Sequence, residues 1–198
     1  MAFDLNNPMY LTAYAQLSLQ AGESTEADLY LTQLKRLAPN ELTTVDIEVQ
    51  IAYDRGQYEK ISKILKNIGD VGLKSEQKAA DAETTSRLWA AKRLEEFARL
   101  LSIPKESETA AQEENRNQAR ALMIASSEYC YEKFVAERPE EMLIYAQFLS
   151  QTPRVDRALD LLQEYGPTSS PLLVANMAIT MMKNPRASSQ QLQRLQHL

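Results

Sequence analysis

Shifted by 34 residues, the first part of the chain lies over itself. Gly22 falls on Gly56, Ala27 on Ile61, Leu31 on Leu65 and Leu34 on Ile68, while upstream Leu11 falls on Val45 and Leu17 on Ile51. Turn residue meets turn residue, and apolar meets apolar. A recurrence of this length belongs to one supersecondary unit stacked on copies of itself, because a lone helix hairpin cannot bury its own apolar face. Within the first copy Leu11, Tyr14, Ala15 and Ser18 share one helical face and Gly22 breaks the helix. Ala27, Leu31 and Leu34 then face back from a second helix, and Pro39 ends the unit.

Composition points the same way. Only 5 Gly and 8 Pro punctuate 198 residues, and Ala, Leu, Glu, Gln, Lys and Arg, which lose least on entering a helix, fill the intervals. No run alternates with period two between hairpin turns, so no sheet is expected. With 44% apolar and 25% charged residues, the chain has the material for a sizeable core.

The second copy reads Val45, Glu48-Val49 and Ala52, then Ile61 and Leu65, with Leu73 where Pro39 stands in the first. Glu48 occupies a place that is otherwise apolar, which implies a loosened contact there or an aliphatic stem lying along the groove with its carboxylate in solvent. A further copy begins at Pro139, with Met142, Tyr145-Ala146 and Leu149, then Ala158, Leu162 and Tyr165, and with Pro153 in place of the turn glycine. Tyr145-Ala146-Gln147 repeats Tyr14-Ala15-Gln16 at the same place.

These positions resemble the tetratricopeptide repeat (TPR), although its first Trp and two later aromatics are replaced here. The resemblance implies an all-α fold, a right-handed superhelix of antiparallel helix pairs. It spans two tandem repeats over 1–74 and one over 139–170. Between them, 75–138 reads as an irregular long helical hairpin, with helices over about 76–101 and 116–137 and a polar loop over 102–115. Residues 171–198 read as a partial terminal pair, a helix to about Lys183 and another over 188–198 with little to pack against. The absence of a polar cap leaves a helical end on which a second copy can pair, and suggests a chain that continues past Leu198.

Function follows from the same resemblance. In such arrays the first helix of each pair lines a concave groove that holds an extended peptide or a partner helix. Carried over, the lining places are Thr12, Gln16, Leu19, Gln20, Asp46, Gln50, Tyr53 and Asp54, then Leu143, Gln147 and Gln151. Relatives that clamp an acidic carboxy-terminal peptide place Lys, Arg and Asn there; this chain has Gln and Asp, so a polar or basic ligand is expected. Alternatively, further helices of the protein cover this face. Tyr10, Tyr14, Tyr30, Tyr129, Tyr131 and Tyr145 lie mostly on apolar stripes and read as core, with Tyr53 off the stripe.

Catalytic signatures are sparse. The one histidine, His197, stands next to last, and Cys130 on a helix between two tyrosines reads as a structural thiol. Glu113-Glu114 and Glu140-Glu141 are neighbours about 100° apart on a helix, which do not converge on one substrate atom. No phosphate loop, HExxH motif or nucleophile elbow occurs, and neither a cofactor nor a metal is expected. Lys74, Lys78, Lys92 and Arg93 alternate with acids as a mixed solvated surface.

A formal charge of -5 opposes phosphate binding, so nucleic acid is not an expected partner. The longest nearly apolar segment, Pro171 to Met182, falls short of the ~20 residues that span a bilayer, and the first residues show no signal peptide. The sequence therefore predicts a cytoplasmic, non-catalytic scaffold for a protein or peptide; the alternative is a structural or regulatory segment of a larger protein or enzyme.

Overall fold

The computed structural model describes residues 6–73, 80–168, 171–183 and 188–195. Every regular element among them is helical. The chain divides into two compact units, Met1–Cys130 and Tyr131–Leu198. The first holds α1 (Pro8–Gln20), α2 (Ser24–Leu37), α3 (Leu42–Asp54), α4 (Tyr58–Val71), α5 (Ala80–Leu100) and most of α6 (Ala110–Glu137). To the second belong the last turns of α6, a 3-10 turn at Pro139–Glu141, α7 (Met142–Leu149), α8 (Val155–Tyr165), α9 (Pro171–Met182) and α10 (Ser189–Leu195).

The first two hairpins turn in the same way. Gly22 and Gly56 have φ of 80° and 68°, left-handed values that glycine adopts without a Cβ clash. At the first turn Glu23 N–H donates to Ser18 O (2.8 Å) and Gly22 N–H to Leu19 O (3.0 Å). Around the second, Gln57 N–H donates to Ala52 O (2.8 Å) and Gly56 N–H to Tyr53 O (2.9 Å). This is the Schellman pattern, which satisfies the last carbonyls of a helix while reversing the chain. α1 itself starts on Asn7, whose side chain accepts from Met9 N at 2.9 Å, with Pro8 at the first helical position.

Leu11 and Ala15 of α1, Ala27, Leu31 and Leu34 of α2, and Ile47 and Ile51 of α3 form one apolar cluster. In α4, Ile61, Leu65 and Ile68 are buried as their first-copy counterparts are. Glu48 departs from its expected placement. Its carboxylate is held by Lys35 at 2.6 Å and Lys60 at 3.3 Å instead of standing in water, because α2 and α4 bring one lysine to it from each side.

α6 starts earlier than its composition predicts. Residues 110–115, read as loop for their polarity, are helical and almost wholly exposed. Thr109 and Gln112 cap them reciprocally: Gln112 N–H reaches Thr109 Oγ1 at 3.3 Å, and Gln112 Oε1 accepts from Thr109 N–H at 2.9 Å. Arg116 then pins the short connection, with Nε 2.9 Å from Glu108 Oε2 and Nη1 2.8 Å from Leu101 O. Polarity there marks a solvated helix face.

Side chains along α6 meet α4 and α5. Ser126 and Ser62 hydroxyls lie 2.7 Å apart, Ser127 donates to Ala91 O at 2.8 Å, and the Cys130 thiol points to Leu65 O at 3.5 Å. Gly69 lies close against α6, since a Cβ there would fall 2.9 Å from Cys130 Sγ. Burial, reinforced by nearby Asp70, pushes the Cys130 thiol up to about 12, which favours the protonated form.

The second unit is arranged around α7 and α8. Tyr145, Ala146, Leu149, Ala158 and Leu162 are buried, and Tyr131 stacks on Tyr145 with ring centres 6.0 Å apart. Its α7–α8 turn replaces glycine chemistry with a hydroxyl: Thr152 Oγ1 donates to Leu149 O (2.8 Å) and accepts from Arg154 N–H (3.1 Å). α10 has more to pack against than expected. Arg194 reaches Asp160 at 2.7 Å and Gln163 at 2.8 Å on α8. His197 lies outside the described residues.

Substituting Gly69→Ala should lower stability by about 1–3 kcal/mol in urea unfolding, as overpacking does. Adding Cys130→Ala to that variant removes the clashing sulfur and should recover part of the loss; equal stability of Gly69→Ala and the parent would mean that α4 and α6 are not in this contact. The buried Thr44 hydroxyl has no hydrogen-bond partner, so Thr44→Val is expected to raise stability by about 1 kcal/mol in the same measurement.

Candidate interaction surface

On α1, Gln16 and Gln20 are exposed, Thr12 is half-buried, and Leu19 packs partly against the core cluster. α3 differs. Asp46, Gln50 and Tyr53, at helical spacings of four and three, face the side chains of α5. Arg93 is the hub: its Nε lies 2.8 Å from Asp46 Oδ1, Nη1 is 2.5 Å from Glu96, and Nη2 donates to Gln50 Oε1 at 2.8 Å. Gln50 passes the network on, its Nε2 donating to Asp54 Oδ1 at 3.1 Å.

Beneath these polar groups lies an aromatic floor. Tyr53 stacks on Phe97 with ring centres 4.8 Å apart and meets Tyr58 edge-on at 6.0 Å. The Arg93 guanidinium sits 4.7 Å from the Phe97 ring centre, a cation–π distance. Arg93 is therefore no part of a solvated charge run, which corrects the sequence-based expectation. Its side chain is 16% exposed, because α5 presents Arg93, Glu96 and Phe97 to α3.

Electrostatics here differ from the expected bare acidic face. Desolvation pushes the Asp46 carboxyl above the ordinary carboxylate range, with the Arg93 charge opposing the shift. Asp46 thus has its counter-ion within the fold. Asp54 is the exposed acid on this side of α3.

In the second unit, Gln147 and Gln151 are exposed, whereas Leu143 is buried at 3%. α7 buries five of its eight residues, so Leu143 is a core residue and offers no surface to a ligand. Among the tyrosines read as core, Tyr131 and Tyr145 are buried, but Tyr10 and Tyr14 are exposed at 38% and 39%.

One cleft escapes sequence reasoning. Between α4 and α6 lies a cleft of about 430 Å³ lined by Glu59, Lys63, Lys66, Asn67 and Asp70, with Leu122 on α6. Lys66 stands 4.6 Å over the Tyr129 ring, and the Tyr129 hydroxyl donates to Asp70. Its lysines and acids balance. Among the described residues no cluster of three His, Cys, Asp or Glu is placed to hold a metal ion, and no helix is long and apolar enough to cross a membrane.

No protein-family model, curated protein or solved structure matches the chain.

Replacing Arg93 with Met should lower stability by about 1–3 kcal/mol, since Asp46 and Gln50 lose a charged partner. Asp46 also makes a pH prediction. Its folded pKa lies above the unfolded value, so its contribution is present at low pH and lost as pH rises through the window just above the ordinary carboxylate range. Asp46→Asn should flatten that part of the stability–pH profile; an unchanged profile would show that Asp46 titrates normally.

Proposed function

We propose that the chain is a TPR-like helical scaffold, non-catalytic, that binds a polar or basic peptide or a partner helix along the first helices of its hairpins. Recurrence of one Schellman turn after 34 residues, at Gly22 and again at Gly56, is the observation that carries this reading. Equivalent positions Leu11 and Val45, Ala15 and Val49, and Ala27 and Ile61 are buried in both copies, as stacked units require. On this reading the hairpins of residues 1–74 begin a right-handed superhelix.

The surface offered to a ligand is narrower than the sequence alone suggests. Gln16, Gln20 and Asp54 are exposed and present amide and carboxylate groups; Asp46 and Gln50 already bind Arg93. Carboxylate-bearing ligands lack the Lys, Arg and Asn clamp, and Asp54 disfavours them. In the second unit Gln147 and Gln151 are the exposed counterparts.

A peptide array probed with the full chain tests the proposal. Basic or amide-rich sequences should be retained, and Asp54→Lys with Gln16→Arg should weaken their binding about tenfold or more while leaving the melting temperature unchanged. Retention of acidic peptides instead, or binding indifferent to both substitutions, would overturn it.

A further inference from the structure

The cleft between α4 and α6 lies apart from the first helices of the hairpins, and its lining is chemically mixed. Glu59, Ser62, Lys63, Lys66 and Asn67 stand at helical spacing on α4, and Leu122 of α6 supplies an apolar wall. Its volume of about 430 Å³ falls within the roughly 300–1,000 Å³ of small-molecule sites.

Part of the charge in the cleft is already engaged within the fold. Tyr129 of α6 donates its hydroxyl to Asp70, and the Lys66 ammonium stands 4.6 Å over the same ring. Glu59 and Lys63 differ. They are one turn apart and exposed, yet among the described residues neither forms an ion pair, whereas the adjacent Lys60 reaches Glu48. Beside them Ser62 Oγ lies 2.7 Å from Ser126 Oγ, and the two serines are 7% and 3% exposed. That contact uses one hydroxyl hydrogen, and neither serine has another partner among the described residues. With Ser126 donating, the Ser62 O–H is left to donate into the cleft, where an entering acceptor satisfies it.

We infer that this cleft binds a free α-amino acid with an apolar side chain. The carboxylate of the ligand accepts from Lys63, Asn67 and Ser62, its ammonium pairs with Glu59, and its side chain lies against Leu122. The two lysines and two acids of the lining cancel, which suits a zwitterion. A simple anion leaves Glu59 without a counter-ion and a simple cation leaves Lys63 without one, while a ligand bearing both charges matches both. None of these residues belongs to α1, α3 or α7, so the inference does not rest on the peptide reading.

Isothermal titration of the full chain with leucine reads the outcome. Leucine should bind saturably at millimolar concentration or below. Isocaproate and isopentylamine keep its side chain but lack the ammonium and the carboxylate respectively, and each should bind about tenfold or more weakly. Lys63→Met and Glu59→Gln should each weaken leucine about tenfold or more, and since both positions are exposed, thermal midpoints should match the parent. Asp54→Lys, which tests the peptide reading, should leave leucine affinity unchanged. Absence of saturable leucine binding, equal binding of either analogue, indifference to either cleft substitution, or loss of leucine with Asp54→Lys would each overturn the inference.

Discussion

The first unit depends on one apolar seam, where Ile47 and Ile51 of α3 close over Leu11, Ala15, Ala27, Leu31 and Leu34 of the preceding hairpin. A two-helix hairpin has more apolar surface than it can cover by folding on itself, and burial of that surface is the main favourable term in folding. Small side chains let the helices approach: Ala15, Ala27 and Ala52 are wholly buried. Left-handed glycines at 22 and 56 set the reversal that brings each second helix back. Among the described residues no hairpin lies over the face of α1 that corresponds to the covered face of α3.

Charge is handled by local pairing. Glu48 sits between Lys35 and Lys60, Asp46 against Arg93, Glu108 against Arg116, and Asp160 against Arg194. The Arg116–Glu108 pair is the most enclosed of these, with side chains 9% and 10% exposed, and two hydrogen bonds to one carboxylate justify that burial. Such pairing removes acids from the surface on which sequence reasoning had placed them. On the proposed reading, a ligand along α3 would meet Asp54 and an amide network already committed to Arg93.

Helix identity was largely legible in the sequence because it rests on local causes: spacing of apolar residues, turn glycines, prolines and the scarcity of β-branched runs. Positions such as Leu11, Ala27, Leu31, Ala146 and Leu162 follow from periodicity and are buried. The error at residues 110–115 has an equally local source. Polar composition marks exposure, which a loop and the outer turn of a helix share, and the Thr109–Gln112 cap that separates them is a small signal. Leu143 was misplaced because α7 buries more than one face, which helical spacing within eight residues cannot reveal.

The sequence by itself determined the helical class, the 34-residue recurrence, and the turn at Gly22 and Gly56, since each follows from residue type and near-neighbour spacing. Tertiary structure alone decided which polar residues meet. Arg93 joins Asp46 and Gln50 across more than forty positions of chain, and Gly69 lies against Cys130 across about sixty. Pairings of that kind arise from the angle and depth at which helices pack, and no periodicity within a single helix encodes them.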